Sequence, residues 1–364
     1  MKIAQVAPLY ESVPPVLYGG TERVVSWLTE ELVRMGHDVT LFASGDSVTT
    51  GRLVPVCPRA LRLDAQCKDA VAHHVVMMEQ VFQEASNFDL IHCHVDYLHF
   101  SLSRRTNTPC LSTLHGRLDI PDLDPLFQTF REMPVVSISD AQRRPIPWAN
   151  WQGTVLHGMP RQLLRMREGR GGYLAFLGRV SPEKGVDEAI EIARRAGIPL
   201  KIAAKVDPAD RSYFERQIQP LLEGKFVEFI GEIGHDEKND FLGNAAALLF
   251  PIRWPEPFGI VMIEAMACGT PVIAYRQGSV PEVLQEGITG FMVSDCEAAV
   301  QAVKRLDEID RRICRKHFEM HFSDQRMARD YLAIYHKLTR AETPALTLDD
   351  GVLRWTDLQA NTTT

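Results

Sequence analysis

The feature that most restricts the fold is a local pattern that occurs at the start of the chain and again near its middle. Residues 3–7 are a short apolar run, followed by a proline-rich loop and Gly19-Gly20-Thr21. Val24, Val25, Leu28, Leu32 and Met35 then recur at helical spacing, Gly36 closes the helix, and residues 38–43 form the next apolar run. The same order returns as a strand over 173–177, the turn Gly178-Arg179-Val180-Ser181-Pro182-Glu183-Lys184-Gly185, a helix over 186–196 closed by Gly197, and a strand over 200–204. Strand, glycine-bearing turn, helix and parallel strand open a doubly wound α/β sheet, so two openings predict two such sheets. A length of 364 residues fits two domains. Between the units lie residues 158–171, with Pro160, the basic set Arg161, Arg165, Arg167 and Arg170, two glycines at its end and no strand period, which mark a linker with a solvated basic face.

The remaining chain extends both patterns. The spacing predicts a helix over 67–87 and strands over 88–95, 109–114, 134–138 and 153–157, making six strands in the first half. In the second half it predicts helices over 208–223 and 237–244, strands over 227–230 and 246–251, and a strand over 272–274. A short helix over 280–285, a strand over 290–293 and helices over 296–307, 310–317 and 324–340 follow. Residues 341–364 are polar, lack a period and read as a loosely attached tail. Two facing sheets leave a cleft between their strand ends, where open α/β sheets bind ligands.

One stretch at that cleft carries chemistry: Glu256-Pro257-Phe258-Gly259-Ile260-Val261-Met262-Ile263-Glu264, continuing to Gly269, Pro271 and the strand at 272–274. Pro257 and Gly259 turn the chain into a helix whose N-terminus offers free N–H groups and a positive dipole end to a phosphate. Glu256 and Glu264, eight residues apart, can each accept hydroxyls. Phosphate flanked by sugar hydroxyls describes a nucleotide sugar. Arg179 and Lys184, in the turn between a strand and a helix, add two cations suited to a diphosphate. His115, before Gly116 at a strand's C-terminal end, also sits where ligands bind.

Other patterns are bland. His92 and His94 share one face of a strand, but no third ligand stands at a matching place, so they read as hydrogen-bonded histidines rather than a metal pair. Asp122-Leu123-Asp124 has the D-x-D form of a metal-diphosphate motif, yet lies between Pro121 and Pro125 in what reads as a solvated loop. No strand, G-x-G-x-x-G and helix occur together, which excludes a dehydrogenase of the usual kind. Hydrophobic content of 45%, charge of 24% and a net charge of −7 suit a globular protein and argue against a general nucleic-acid binder. Seven scattered cysteines without a C-x-x-C pair indicate free thiols in a reducing compartment. The start, MKIAQVAPLY, lacks the apolar core of a signal peptide, and no run of about 18 apolar residues predicts a membrane span. The expected location is cytoplasmic; peripheral membrane contact and oligomeric state stay open.

Taken together, E-P-F-G-x₄-E-A-M-A-C-G-T-P-V, F-L-G-R-V-S-P-E-K-G, the early Gly19-Gly20, T-L-H-G and G-I-T-G-F-M-V, in that family's order, resemble a family 4 retaining glycosyltransferase of the GT-B fold over roughly residues 1–340. The resemblance implies an N-terminal acceptor domain over 1–160, a nucleotide-sugar domain over 172–323, and a final helix over 324–340 crossing back to the first domain. It implies that Arg179 and Lys184, beside Gly178, grip the donor diphosphate, and that Glu256 takes hydroxyls of the transferred sugar. Phe258, Gly259 and Ile260 lend backbone N–H groups, Glu264 takes the ribose hydroxyls, and Gly19 and Gly20 close over the phosphates. His115 lies beside the reacting sugar, so His115, Glu256, Arg179 and Lys184 are the catalytic candidates. His157-Gly158 departs from the Asn-Gly of many relatives and bears on linker geometry.

The implied reaction moves a hexosyl or N-acetylhexosaminyl group from a nucleotide sugar, UDP-linked by family frequency, to a hydroxyl acceptor, without metal or cofactor. Front-face attack is favoured, because both family glutamates are committed to hydroxyls and neither serves as a nucleophile. Two alternatives remain from the residues alone: another enzyme of this fold, such as a nucleotide-sugar epimerase or a phosphorylase, or a non-catalytic nucleotide-sugar-binding module.

Overall fold

The computed structural model describes residues 1–16, 19–169, 172–340, 346–349 and 352–355. Its first half is a seven-stranded sheet: β1 (Lys2–Val6), β2 (Asp38–Ser44), β3 (Arg52–Cys57), β4 (Leu90–Cys93), β5 (Cys110–Thr113), β6 (Val135–Ser137) and β7 (Trp151–Thr154). The second half has six: β8 (Leu174–Arg179), β9 (Leu200–Lys205), β10 (Val227–Gly231), β11 (Ala247–Phe250), β12 (Val272–Tyr275) and β13 (Gly290–Val293). The strand orders are β3-β2-β1-β4-β5-β6-β7 and β10-β9-β8-β11-β12-β13, with parallel pairing throughout. Both sheets reverse direction of winding between their first and fourth strands, so both place a crevice at β1/β4 and at β8/β11.

These elements form for legible reasons. The inner strands are short, apolar and covered on both faces, as parallel strands require, while the edge strands β3, β7 and β10 are partly exposed. Helix Gly20–Arg34 buries Val24, Val25, Leu28 and Leu32 on one stripe. Helix Val186–Ala196 ends at Gly197 in the left-handed region.

Several expectations need correction. β3 was not anticipated, so the first sheet has seven strands rather than six; R-L-V-P-V-C carries a proline that an edge strand tolerates and a sequence reading discounts. The helix expected over 67–87 is Ala70–Gln83, started by Asp69 accepting the N–H groups of Val71 and Ala72. The helix expected over 208–223 is irregular, passing from 3₁₀ to α to π and back to 3₁₀ at Pro220. The D-x-D loop is the start of a short helix, Leu123–Thr129, with Asp122 and Asp124 exposed. Within the expected tail, most of which lies outside the described residues, Leu346–Asp349 and Val352–Trp355 pair as an antiparallel ribbon. Arg170 of the basic linker set also lies outside the described residues.

The two halves are tied at a double crossing. Met159 accepts the N–H of Asp324 at 3.1 Å and donates its own to Phe322 at 2.9 Å. The outgoing and returning strands of chain touch so closely that a Cβ on Gly158 would lie 2.3 Å from the Ser323 carbonyl oxygen. Helix Asp324–Arg340 then runs back over the first domain, burying Met327, Ala328, Tyr331 and Tyr335 against helix Gly20–Arg34 and the sheet behind it. Each such aromatic contributes about 1.5–3 kcal/mol by burial. The hydroxyls of both tyrosines reach sheet side chains: Tyr331 lies 3.0 Å from Thr113 Oγ1 and Tyr335 lies 2.7 Å from His92 Nδ1.

Candidate active site

A cavity of about 300 Å³ opens between the facing crevices, with Gly20 and His115 on one wall and Arg179, Lys184, Glu256 and Glu264 on the other. Gly178, Phe258, Gly259 and Ile260 also line it. Of the catalytic and donor-binding residues expected from sequence, only Gly19 does not; it starts helix Gly20–Arg34 and gives its carbonyl to Arg23. The walls nearly touch at Gly20, where a Cβ would lie 3.6 Å from Ile260 Cδ1 across the cleft.

Helix Ile260–Ala267 starts at Gly259, whose φ of 76° is left-handed and whose missing Cβ would meet Met262 Cε at 2.9 Å and Phe250 Cζ at 3.0 Å. Only glycine turns the chain here, and no side chain caps this N-terminus, so its first N–H groups face the cleft uncapped. Phe258 itself is buried, packed edge-on against His157, so only its backbone is offered to a ligand.

The cations and carboxylates are paired with one another. Lys184 Nζ lies 2.5 Å from Glu256 Oε2, and Trp254 Nε1 donates to the same oxygen at 2.8 Å. The Trp254 ring is flanked by Lys184, with Nζ 5.2 Å from its centroid, and by Arg117 of the other domain at 5.6 Å. Lys238 holds Glu264 Oε1 at 2.7 Å, deep in the site. Arg179 is engaged by three carboxylates: Glu183 at 2.6 Å, Asp210 at 3.6 Å and Asp207 at 3.7 Å. An incoming anion therefore exchanges partners with these side chains rather than meeting bare cations.

The histidines form one system. His115 Nε2 lies 2.9 Å from His94 Nδ1, and the His115 ring stacks on His157 at 5.4 Å and 20°. His94 Nε2 lies 2.8 Å from Gln5 Oε1, and His92 contacts Tyr335 and Thr113 at 2.7 Å each. Desolvation pushes His115 down to about 3 and holds His92, His94 and His157 well below the usual imidazole value. The wall of the cleft around His115 is thus polar but uncharged at neutral pH. Glu282 crosses the cleft elsewhere: its carboxylate accepts the N–H groups of Asp140 at 2.6 Å and Ala141 at 2.8 Å.

Sequence reasoning missed Lys238, Trp254, Gln5 and Glu282, none of which stands in a motif. His157, read from sequence as bearing on linker geometry, stacks on His115 and lines the cleft. Among the described residues, no three or more His, Cys, Asp or Glu side chains are grouped to hold a metal ion. Nor is any described helix long and apolar enough to cross a membrane.

Comparison with known proteins bears on this geometry. Residues 18–152 match the family described as Glycosyltransferase Family 4, and residues 167–316 match Glycosyl transferases group 1. The chain is 27% identical over 350 residues to a phosphatidyl-myo-inositol mannosyltransferase of Propionibacterium freudenreichii, covering 84% of this chain and 86% of that one. It is 25% identical over 370 residues to glycogen synthase of Mycobacterium tuberculosis, covering 83% and 86%. Among solved structures, sucrose-phosphate synthase of Thermosynechococcus elongatus superposes with a TM-score of 0.78 at 20% identity, covering 94% of this chain and all of that one. HepE of Anabaena, in complex with UDP and glucose, superposes with a TM-score of 0.70 at 17% identity, covering 93% and 100%.

Proposed function

Because this chain belongs to the family 4 glycosyltransferases and has their GT-B fold, we propose that it moves a hexosyl or N-acetylhexosaminyl group from a UDP sugar to a hydroxyl acceptor with retention of configuration. The observation that carries this reading is the placement of Glu256, Lys184, the uncapped helix start at Gly259 and Glu264 along one wall of a single cavity. Their order is sugar clamp, phosphate site, ribose clamp. UDP as the nucleotide draws support from HepE, whose structure contains UDP and glucose.

In the proposed reaction the bond between the anomeric carbon and the phosphate oxygen breaks as the acceptor oxygen bonds to the same face. The acceptor's proton passes to the departing phosphate oxygen. Lys184, Arg179 and the N–H groups after Gly259 stabilise the charge that builds on the diphosphate. Neutral His115 lies beside the sugar, where its ring and carbonyl stabilise positive character at the anomeric centre. No metal is assigned a role, since these groups supply the charge the leaving group needs. A reducing, cytoplasmic setting is supported by seven cysteines that are all free.

The test is a panel of UDP, GDP and ADP sugars in thermal-shift and slow donor-hydrolysis assays. Stabilisation by one nucleotide and release of its diphosphate form without acceptor is expected. Absence of any nucleotide binding sinks the donor site. A covalent glycosyl-enzyme in a Glu256→Gln variant, seen by mass spectrometry, sinks the front-face step.

A further inference from the structure

Glu256 lines the cavity on a main chain that has little room to move. Its N–H donates to the Trp254 carbonyl at 2.8 Å, a tight turn across Pro255, and its own carbonyl accepts the Ser279 N–H at 3.0 Å. Gly278, left-handed at φ 53°, lies so close that a Cβ there would stand 2.4 Å from both the Glu256 nitrogen and the Glu256 carbonyl oxygen. Arg253 fixes the approach to this turn, with its N–H on the Glu183 carbonyl at 2.8 Å and its guanidinium on Asp187 at 2.8 Å and Glu188 at 2.9 Å. The freedom left to Glu256 is in its side-chain torsions.

Two donors settle those torsions, and both reach the same oxygen: Lys184 Nζ lies 2.5 Å and Trp254 Nε1 2.8 Å from Oε2. Among the described residues Oε1 has no hydrogen-bond partner. The two donors differ in what a ligand does to them. Lys184 lines the cavity, where an incoming diphosphate recruits it, whereas Trp254 does not line the cavity and keeps its N–H directed at Glu256. The Trp254 ring is also held independently of Lys184. Arg117 of the other domain stands over it, 5.6 Å from the centroid, and is itself fixed by Asp119 at 2.6 and 2.8 Å. One cation therefore stays over the ring when the other, Lys184 at 5.2 Å, is drawn away. Without the indole, Glu256 would lose its last charge-assisted hydrogen bond from the protein at the moment the diphosphate takes Lys184.

We infer that Trp254 is a positioning residue for Glu256: its indole N–H holds Oε2 in place when Lys184 turns to the donor, so that Oε1 stays presented to a ligand hydroxyl. Trp254 touches no reacting atom and acts only through the carboxylate it holds. This functional half rests on the donor-site reading above; the bond between Trp254 and Glu256 stands apart from it.

The experiment is a ¹H–¹⁵N correlation spectrum of the full chain, whose five tryptophans give five indole signals, with Trp254 assigned by its loss in Trp254→Phe. A hydrogen bond to a carboxylate moves an indole proton downfield. The Trp254 proton should lie downfield in the nucleotide-free wild type, move upfield in Glu256→Ala, and stay downfield when the best-binding of UDP, GDP and ADP saturates the site. An equal position in wild type and Glu256→Ala overturns the inference, and so does an upfield move on saturation. Donor hydrolysis supplies a second readout. Trp254→Phe keeps the ring and removes the N–H, so kcat/KM should fall roughly 10–150-fold, the worth of a hydrogen bond to a charged group. In a Glu256→Ala background the same substitution should change kcat/KM by less than about twofold, and an equal loss in both backgrounds overturns the inference. A failure of nucleotide binding alone would strike the donor site, while the nucleotide-free spectra would still show whether Trp254 holds Glu256.

Discussion

Replacing Glu256 by Gln should have opposite effects on two ligands. Lys184 Nζ and Glu256 Oε2 are 2.5 Å apart, with only 18% and 12% of their side chains exposed. At an effective dielectric of about 20 the attraction at that separation is roughly 6–7 kcal/mol. Desolvation takes back most of it, leaving about 1–3 kcal/mol that a diphosphate must replace when it recruits Lys184. The glutamine variant frees Lys184 in advance, so the nucleoside diphosphate should bind about 5–150 times more tightly. The carboxylate proposed to take the sugar hydroxyls is lost at the same time, at about 1.5–3 kcal/mol, so kcat/KM for transfer should fall by roughly 10–150-fold. Calorimetry with the best-binding member of UDP, GDP and ADP measures the first effect, and a coupled transfer or donor-hydrolysis assay the second. If the variant binds the nucleoside diphosphate no better than wild type, the partner exchange is wrong. If it loses nucleotide and nucleotide sugar equally, Glu256 is not a sugar clamp.

Three further outcomes are expected. Acid should unfold the protein from the histidine side: His99 and His115 are held near 3, and His92, His94 and His157 well below the usual 6.5, so the unfolded chain binds more protons as pH falls below about 6.5. Each costs up to about 1.4 kcal/mol per pH unit in that window; Asp96, held near 6 by desolvation, offsets part of this below pH 6, and a thermal midpoint that stays flat from pH 7 to 5 would contradict the burial. Glu282→Ala removes two hydrogen bonds across the cleft, so small-angle scattering should show a larger radius of gyration, with about 1–3 kcal/mol lost from the closed arrangement; an unchanged profile means that Glu282 is no clasp. Gly158→Ala forces a Cβ against the Ser323 carbonyl and should cost about 1–3 kcal/mol in urea unfolding, whereas a silent substitution would show that the double crossing is loose.

How far the sequence could be read varied with the range of the interaction. Helices Val186–Ala196 and Asp324–Arg340 and strand Gly290–Val293 have the bounds the sequence predicts, because period and end signals are local. β3 was missed because Pro55 argues against a strand unless the strand is known to lie at an edge. The irregular segment over 208–222 has a helical period, but its windings change along its length.

The site divides in the same way. Gly259, Glu256 and Glu264 were visible because a turn, a helix start and two carboxylates lie within nine residues of chain. The sequence by itself therefore determined the two doubly wound halves and the segment that carries Glu256, the helix start at Gly259 and Glu264. Only the tertiary structure decided the rest. Lys238 meets Glu264 across 26 residues, Lys184 meets Glu256 across 72, Glu282 meets Ala141 across 141, and Tyr335 meets His92 across 243. No local pattern encodes such contacts. They exist because two sheets with the same winding present their crevices to each other and one helix returns to pack on the first domain. The carboxylate pair thus came from sequence, while the fact that its members already hold lysines, and that a ligand must displace them, came from the fold.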